Sequence, residues 1–217
     1  MRTINKIYYH LQRINEKNIH WKIGDIIEFN KNIENYYFYS LNESILSFHE
    51  SLSEQNLKTQ IRDLEQKIKS ETVKQIDNPE LTFDNQFIIN SIEIQIDEIK
   101  CYYDKCIQLQ QEIIFENIKN KINIELPSRQ HCIWVTENIN ELCQWIKMFE
   151  DQPSRILKLR LNGNIHTTSG EFIDIIKNKN IKNAISNAKE YWQGTSNNKV
   201  NEIEYLFEGK VEIIDII

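Results

Sequence analysis

Several residue types are scarce in this sequence, and each scarcity excludes a class of protein. The 217 residues include only four cysteines, five glycines and three prolines. Four cysteines are too few for a disulfide framework, so we expect a protein of the reducing cytoplasm. The glycines are not clustered, which excludes a P-loop and a dinucleotide-binding fingerprint. No apolar run of about 18 residues is present, so we expect neither a membrane span nor, from the first residues, a secretion signal.

Other catalytic motifs are also missing. The cysteines, at positions 101, 106, 132 and 143, form no Cys-x-x-Cys pair, and there is no His-x-x-x-His, so we expect no metal site. No Gly-x-Ser-x-Gly elbow is present to supply a hydrolase nucleophile. Cys132 opens an apolar segment, which favours a buried structural thiol over a reactive one.

What the sequence contains is isoleucine, asparagine and lysine, with 39, 25 and 20 copies. This bias follows from an A/T-rich coding sequence and weakens propensity arguments. The 32 acidic residues outnumber the 26 basic ones, which argues against a protein that coats nucleic acid non-specifically. At 40% hydrophobic and 27% charged residues, the chain is typical of a globular protein that can bury one core and carry a helical appendage.

The chain separates into three zones by its hydrophobic pattern. Residues 6–11 are rich in β-branched and aromatic side chains and predict a strand, and a turn at Gly24-Asp25 leads into a second strand that ends at Phe29. From about 42 to 125 the period becomes helical, with one apolar stripe from Leu57 to Ile68 and another from Ile89 to Cys106. Since Pro79 interrupts the two stripes, we predict an antiparallel helical hairpin. Its helices could pair as a coiled coil, but the first stripe spans barely two heptads, which favours packing against the body of the domain.

The third zone, 127–217, mixes strands and helices. Residues 131–136 predict a strand and 140–149 a helix. Residues 156–168 predict a hairpin around Asn162-Gly163, because Asn-Gly favours a tight primed turn. Helices are predicted at 172–176 and 181–192, and two strands at 202–207 and 211–216 around a turn at 208–210. We therefore predict a single α+β domain over 1–217, with a split mixed β-sheet and a helical-hairpin insertion at about 42–125.

Several segments carry a resemblance to a known family. They are the strand Lys6-Ile7-Tyr8-Tyr9-His10, the turn Lys22-Ile23-Gly24-Asp25, the strand Cys132-Ile133-Trp134-Val135-Thr136 and the segment Glu204-Tyr205-Leu206-Phe207. In this order they resemble the ADP-ribosyltransferase superfamily, in particular the rifampin-modifying, RNA 2′-phosphotransferase-like and poly-ADP-ribose polymerase-like members. The resemblance covers about 1–40 and 112–217.

Four further segments resemble a bacterial group of unassigned function that is related to these transferases. They are Glu112-Ile113-Ile114-Phe115-Glu116, Pro127-Ser128-Arg129, the stretch from Ala188 to Gly194, and the stretch from Glu204 to Val211. No role follows for most of these residues from the sequence alone.

The resemblance implies NAD as co-substrate, no metal, and a role for each matched residue. His10 would bind the adenosine ribose, and His10 and Glu204 would be the catalytic residues. The backbone of Leu11 would hold the nicotinamide amide. Trp134 would stack on the nicotinamide ring and Thr136 would support the site. Glu204 would stabilise the positive charge that develops as nicotinamide departs.

Further residues are assigned by their position near this set. Arg13 and Arg129 are candidates for the pyrophosphate, although either could instead form a structural ion pair. Glu202 lies two residues before Glu204 on the same predicted strand, so both would face the same way. This spacing resembles the Glu-x-Glu pair of some members of the superfamily, and the resemblance implies that Glu202 would handle the acceptor. Trp192 would line the acceptor side.

The implied function is transfer of ADP-ribose from NAD to RNA, DNA or protein by a cytoplasmic enzyme that does not bind membranes. Stand-alone members of this kind are often toxins, held by an antitoxin or used in phage defence. The insertion would then bind the acceptor or an inhibitory partner.

Two alternatives stay open. One is a non-catalytic binding module on the same fold, which the bulk of Leu11 and the replacement of tyrosine by Trp134 would favour. The other is an NAD glycohydrolase.

Overall fold

The computed structural model describes residues 2–16, 18–30, 32, 35–51, 57–77, 82–148, 152–173, 180–194 and 203–217. The chain divides into two compact units, one of Met1–Tyr39 with Gln110–Ile217 and one of Ser40–Leu109. Among the described helices, none combines the length and the apolar character needed to cross a membrane.

The first unit is built on a five-stranded antiparallel sheet. Its strands are β1 (Arg2–Arg13), β2 (Ile26–Phe29), β3 (Ile133–Val135), β4 (Ser154–Ser169) and β5 (Ile203–Ile216). They pair in the order β1-β4-β5-β2, and β3 also pairs with β5. The α+β class is therefore confirmed, but the prediction of a mixed sheet is wrong for the described strands. The chain leaves β4 at Ser169 and returns opposite it at Ile203, so the helix between them does not make a parallel crossover.

The two predicted turns of the C-terminal zone are also wrong, because each lies inside a long strand. Asn162-Gly163 is in the middle of β4, and Gly209 is in the middle of β5, directly opposite Gly163. A Cβ on Gly163 would lie 2.3 Å from the backbone oxygen of Glu208 and 2.8 Å from Cα of Gly209. The glycines therefore permit the close approach of two strands, a role that the local sequence does not distinguish from a turn.

The two faces of the sheet carry separate apolar clusters. Alternate residues of the strands point to opposite sides. One side holds ten buried residues, namely Tyr8, Phe29, Ile133, Val135, Leu157, Leu159, Leu161, Phe207, Val211 and Ile213. The other side, which includes Leu206, is covered by Phe115, Ile118, Ala188, Tyr191 and Trp192, with Cys132 among them. Cys132 is fully buried, as predicted.

Five α-helices are described. They are α1 (Tyr36–Ser51), α2 (Leu57–Asp77), α3 (Thr82–Ile122), α4 (Leu142–Met148) and α5 (Ile181–Gln193). Short 3₁₀ turns occupy Ile139–Glu141, in front of α4, and Gly170–Ile173 after β4. The helix predicted at 172–176 falls partly on that second turn and otherwise lies outside the described residues, as does Pro79.

The second unit contains most of α1, all of α2 and the first two thirds of α3. Leu64 of α2 clusters with Ile92 and Ile99 of α3, and Ile68 and Ile96 pack against them. These are residues of the two predicted stripes, so the periodicity identified a contact face of each helix. The contacts in this cluster join the two helices to each other, which is the alternative that the short first stripe did not favour. The prediction lacked α1, which begins at Tyr36, six residues before the predicted insertion.

Local signals define α5. The side chain of Asn180 accepts a hydrogen bond from the backbone N–H of Lys182 at the N-terminus, and Gly194 ends the helix with a positive φ of 70°. Ala184, Ala188, Tyr191 and Trp192 are its buried residues, and their spacing forms one helical face. The helix thereby places Tyr191 against the sheet.

Candidate functional site

A cavity of about 310 Å³ opens in the first unit. Six of its lining residues are aromatic: Trp21, Phe29, Tyr36, Tyr37, Tyr39 and Trp134. The others are His10, Leu11, Arg13, Asn15, Asn18, Ile27, Asn35, Cys132 and Ile133. Four predicted NAD-binding residues, namely His10, Leu11, Arg13 and Trp134, therefore line one cavity. Its volume is at the lower end of the range for small-molecule sites.

The cavity includes the place where β1 and β3 separate. Tyr9 and Thr136 form a bridge, with each backbone N–H donating to the other residue's carbonyl at 2.8 Å. At the next residue of β1 the bond to β3 comes from a side chain and not from the backbone, because Nδ1 of the His10 ring donates to the Trp134 carbonyl at 2.8 Å. Because backbone groups alternate between the two edges of a strand, the N–H and C=O of Leu11 face the same edge as those of Tyr9. That edge is where the strands have parted.

His10 offers a hydrogen-bond acceptor to the cavity. Burial lowers its pKa to about 4, an effect that outweighs the opposing hydrogen bond to Trp134 and is reinforced by the charge of Arg13. The ring is therefore neutral near pH 7. Since Nδ1 carries the proton that it donates to Trp134, Nε2 has a lone pair. A ligand hydroxyl or N–H is the chemical complement of this atom.

Among the lining residues, Arg13 carries the formal positive charge. Its guanidinium lies over the ring of Tyr36, 5.1 Å from the centroid. Burial lowers its pKa, and the phenols of Tyr36 and Tyr37 act in the opposite direction. An arginine in this position presents planar donors that suit phosphate or carboxylate oxygens.

Trp134 connects the cavity to a buried charged network. Tyr37 meets its indole edge to face at 5.9 Å, and the guanidinium of Arg129 lies 5.6 Å from its ring centroid. Burial raises the pKa of Tyr37 to about 12, and the charge of Glu112 adds to this effect. Its phenol therefore stays protonated at physiological pH.

Arg129 is the centre of that network. Its Nε and Nη2 donate to the two oxygens of Glu112 at 2.9 and 3.0 Å. Its Nη1 donates to the Tyr191 hydroxyl at 2.5 Å and to Oε2 of Glu204 at 3.1 Å. Burial would lower the pKa of Arg129, but the carboxylates of Glu112 and Glu204 with Tyr191 raise it well above its usual value. The guanidinium is therefore permanently charged.

Glu204 is held by two donors on one oxygen. Besides Arg129, the Tyr191 hydroxyl donates to the same Oε2 at 2.8 Å, and 17% of the Glu204 side chain is exposed. Burial raises the pKa of Tyr191 well above 10, so that its hydroxyl keeps the proton that it donates. The network fixes the carboxylate and leaves Oε1 without a described hydrogen bond.

Glu204 and Trp134 share one face of the sheet. Trp134 pairs with Leu206 on β5, and Glu204 comes two residues earlier on the same strand. They are therefore diagonal neighbours, roughly 7–8 Å apart. Glu204 does not itself line the cavity as described, and it is related to the cavity through Trp134 and Arg129.

Two of the predicted site residues, Thr136 and Trp192, do not line the cavity. Thr136 is buried beside the cavity rather than in it, and its hydroxyl donates to Glu141. Trp192 is 2% exposed, and its Nε1 donates to the Phe115 carbonyl at 2.7 Å, so it belongs to the core and not to an acceptor surface. Glu202 lies outside the described residues. Of the two alternatives for Arg129, the structure has the ion pair.

No role for Tyr37, Glu112 or Tyr191 follows from the sequence. The last two lie in segments that the resemblance picked out, but nothing local indicates that they meet at Arg129. Tyr37 belongs to an aromatic run, 36–39, for which the sequence predicts no element. His, Cys, Asp and Glu side chains form no metal-binding group within the described parts of the chain.

Comparison with known protein families identifies the family of this chain. A family model described as "Protein of unknown function (DUF2441)" matches residues 8–217, nearly the whole chain, and the chain therefore belongs to this family. No curated protein matches it. The family description names no activity, so a functional proposal depends on the geometry of the site.

Proposed function

We propose that this member of the DUF2441 family is an NAD-dependent ADP-ribosyltransferase that modifies a nucleic acid or a protein. One observation carries the proposal. Strands β1, β3 and β5 bring His10, Trp134 and Glu204 together, the three residues to which the sequence resemblance assigns the main roles. His10 bonds directly to the Trp134 backbone, and Trp134 is the diagonal neighbour of Glu204.

The chemistry of the cavity is compatible with NAD. NAD supplies ADP-ribose when the bond between nicotinamide and ribose is cleaved. The lone pair on His10 Nε2 suits a ribose hydroxyl. The backbone N–H and C=O of Leu11, which face the edge where β1 and β3 have separated, would bind the nicotinamide carboxamide. The indole of Trp134 offers a stacking face. The planar donors of the Arg13 guanidinium suit a phosphate.

Glu204 would supply the electrostatic part of catalysis. A fixed carboxylate stabilises the positive charge that develops on the ribose only in the transition state, and this difference lowers the barrier. The bonds from Arg129 and Tyr191 to Oε2 hold the carboxylate in one orientation, so little reorganisation is needed during the reaction.

A second candidate is a binding module that keeps the fold without turnover. The same bonds to Oε2 support it, because they take up part of the charge that catalysis would use. The absence of Glu204 from the described cavity lining also supports it. An NAD glycohydrolase would use the same residues, with water as acceptor.

The deciding experiment measures nicotinamide release from NAD by the purified chain, alone and with RNA, DNA or protein fractions. The test variant is Glu204→Gln. The control is Glu212→Gln, on the same strand, where the exposed carboxylate pairs with Arg160 at 2.6 Å.

Release that requires one fraction, is lost in Glu204→Gln and is kept in Glu212→Gln would support the transferase and identify its acceptor class. Release without a macromolecule would favour the glycohydrolase. NAD binding without nicotinamide release would favour the module. The absence of both NAD binding and nicotinamide release would refute the proposal. The toxin role is tested by whether expression arrests growth in the wild type and not in Glu204→Gln.

A further inference from the structure

Arg129 is shared unequally between two carboxylates. Glu112 receives two parallel hydrogen bonds from it and Glu204 receives one. Paired in this bidentate way, a guanidinium and a carboxylate largely cancel each other's charge. The three groups together carry one net negative charge, and most of it is located at Glu204.

The position of Arg129 makes this balance important for the cavity. The guanidinium lies 5.6 Å from the centroid of Trp134, a cavity-lining ring. A positive charge in this position attracts the indole but repels any second positive charge that stacks on the same ring. Arg129 and Glu112 are each no more than 5% exposed, so water screens this charge only weakly.

We infer that Glu112 sets the charge beside this cavity: by taking up most of the charge of Arg129 it leaves most of the negative charge of Glu204 in place, so the cavity selects a positively charged aromatic ring over a neutral ring of the same shape. The inference deepens the proposed function and rests on it. Glu112 is a positioning residue in this scheme, because it acts through Arg129 and Glu204 and not by touching the ligand.

Glu116 offers a matched control on the same helix. It lies one turn after Glu112 and also contacts the segment around Arg129, through a hydrogen bond from the Ser128 hydroxyl at 3.0 Å. Its charge partner, however, is Lys119, at 2.6 Å. Glu116→Gln therefore removes the same charge from α3, but the buried cation that loses its partner is Lys119 and not Arg129.

The experiment compares two ring ligands by isothermal titration calorimetry on the full chain. They are nicotinamide, which is neutral, and 1-methylnicotinamide, whose ring carries a permanent positive charge. The wild type should bind the cation more tightly. In Glu112→Gln the preference should fall about tenfold, because one elementary charge is lost close to the cavity, where water screens charges weakly. Glu204→Gln should lose the preference likewise, and Glu116→Gln should change it much less.

A double variant provides both a rescue and a safeguard against misfolding. Glu112→Gln combined with Arg129→Gln removes one charge of each sign, so it leaves no unpaired buried arginine. It should recover the preference for the cation that Glu112→Gln loses. If the single variant does not fold, as judged by its thermal melting, the double variant and Glu204→Gln still give opposite expectations.

The outcomes separate the two ideas. A wild type that binds neither ring overturns the proposed function and this inference with it. A wild type that binds both rings equally overturns the inference alone, as does a preference that survives in Glu112→Gln. Equal losses in Glu112→Gln and Glu116→Gln would also overturn it, because the effect would then not act through Arg129.

Discussion

Replacing Arg129 with methionine is the most severe test of the buried network. The change keeps an apolar stem among the rings of Phe115, Trp134 and Tyr191 but leaves Glu112 and Glu204 without a counter-ion. Removing one partner of a buried ion pair typically costs about 3–5 kcal/mol of unfolding free energy, because a charge is left buried and uncompensated.

The structure indicates which carboxylate causes the loss. Glu204 is 17% exposed and keeps the hydrogen bond from Tyr191, so it can be partly rehydrated. Glu112 is 5% exposed and loses both of its bonds from Arg129. We therefore expect Glu112 to account for most of the cost, and a double variant with Glu112→Leu to recover most of it.

Urea and thermal unfolding of the two variants and the wild type provide the measurement. For a chain of this size about 3–5 kcal/mol corresponds to a decrease in melting temperature of roughly 6–20 °C. A loss below about 1 kcal/mol in Arg129→Met, or a double variant no more stable than the single one, would refute the reasoning.

Three further predictions concern the sheet and the cavity. Gly163→Ala should cost more than about 3 kcal/mol or prevent folding, because its Cβ would lie 2.3 Å from a backbone oxygen. As a control at the exposed neighbouring position, Asn164→Ala should have an unfolding free energy within about 0.5 kcal/mol of the wild type in the urea unfolding assay. Leu159→Ala, at a fully buried position, should cost about 2–5 kcal/mol in that assay. The pKa of His10 is lowered to about 4, so the unfolded chain takes up a proton there that the folded chain does not. Stability should therefore decrease as the pH falls from about 6.5 to 4, by up to about 3 kcal/mol, and His10→Asn should remove this part of the pH dependence.

The buried network gives a physical reason for the segments that the resemblance selected. The segment 112–116 supplies Glu112 and Glu116, 127–129 supplies Ser128 and Arg129, and the stretch before Gly194 supplies Tyr191. The fourth segment contributes Glu204, and also Glu208, whose Oε2 accepts from the backbone N–H of Ser128 at 3.2 Å. Two pairs of segments, one at 112–129 and one at 188–211, thus meet around Ser128 and Arg129.

The sequence by itself determined the features that depend on neighbours along the chain. The apolar spacing that includes Leu64 and Ile92 identified the contact faces of α2 and α3, and the cap residues Asn180 and Gly194 agree with the predicted extent of α5. The strand before His10 was identified by its β-branched and aromatic residues. In each case the decisive interaction lies within a few residues, where sequence spacing fixes geometry.

Only the tertiary structure decided the features that depend on contacts between distant segments. Asn162-Gly163 has the local chemistry of a turn, but pairing with Gly209 makes it the middle of a strand. The sequence allowed Arg129 to be a phosphate ligand or an ion-pair partner. In the structure it pairs with Glu112 of α3 and Glu204 of β5. The physical reason is the same in both cases, because the free energy comes from partners more than 15 residues away, which local sequence does not specify.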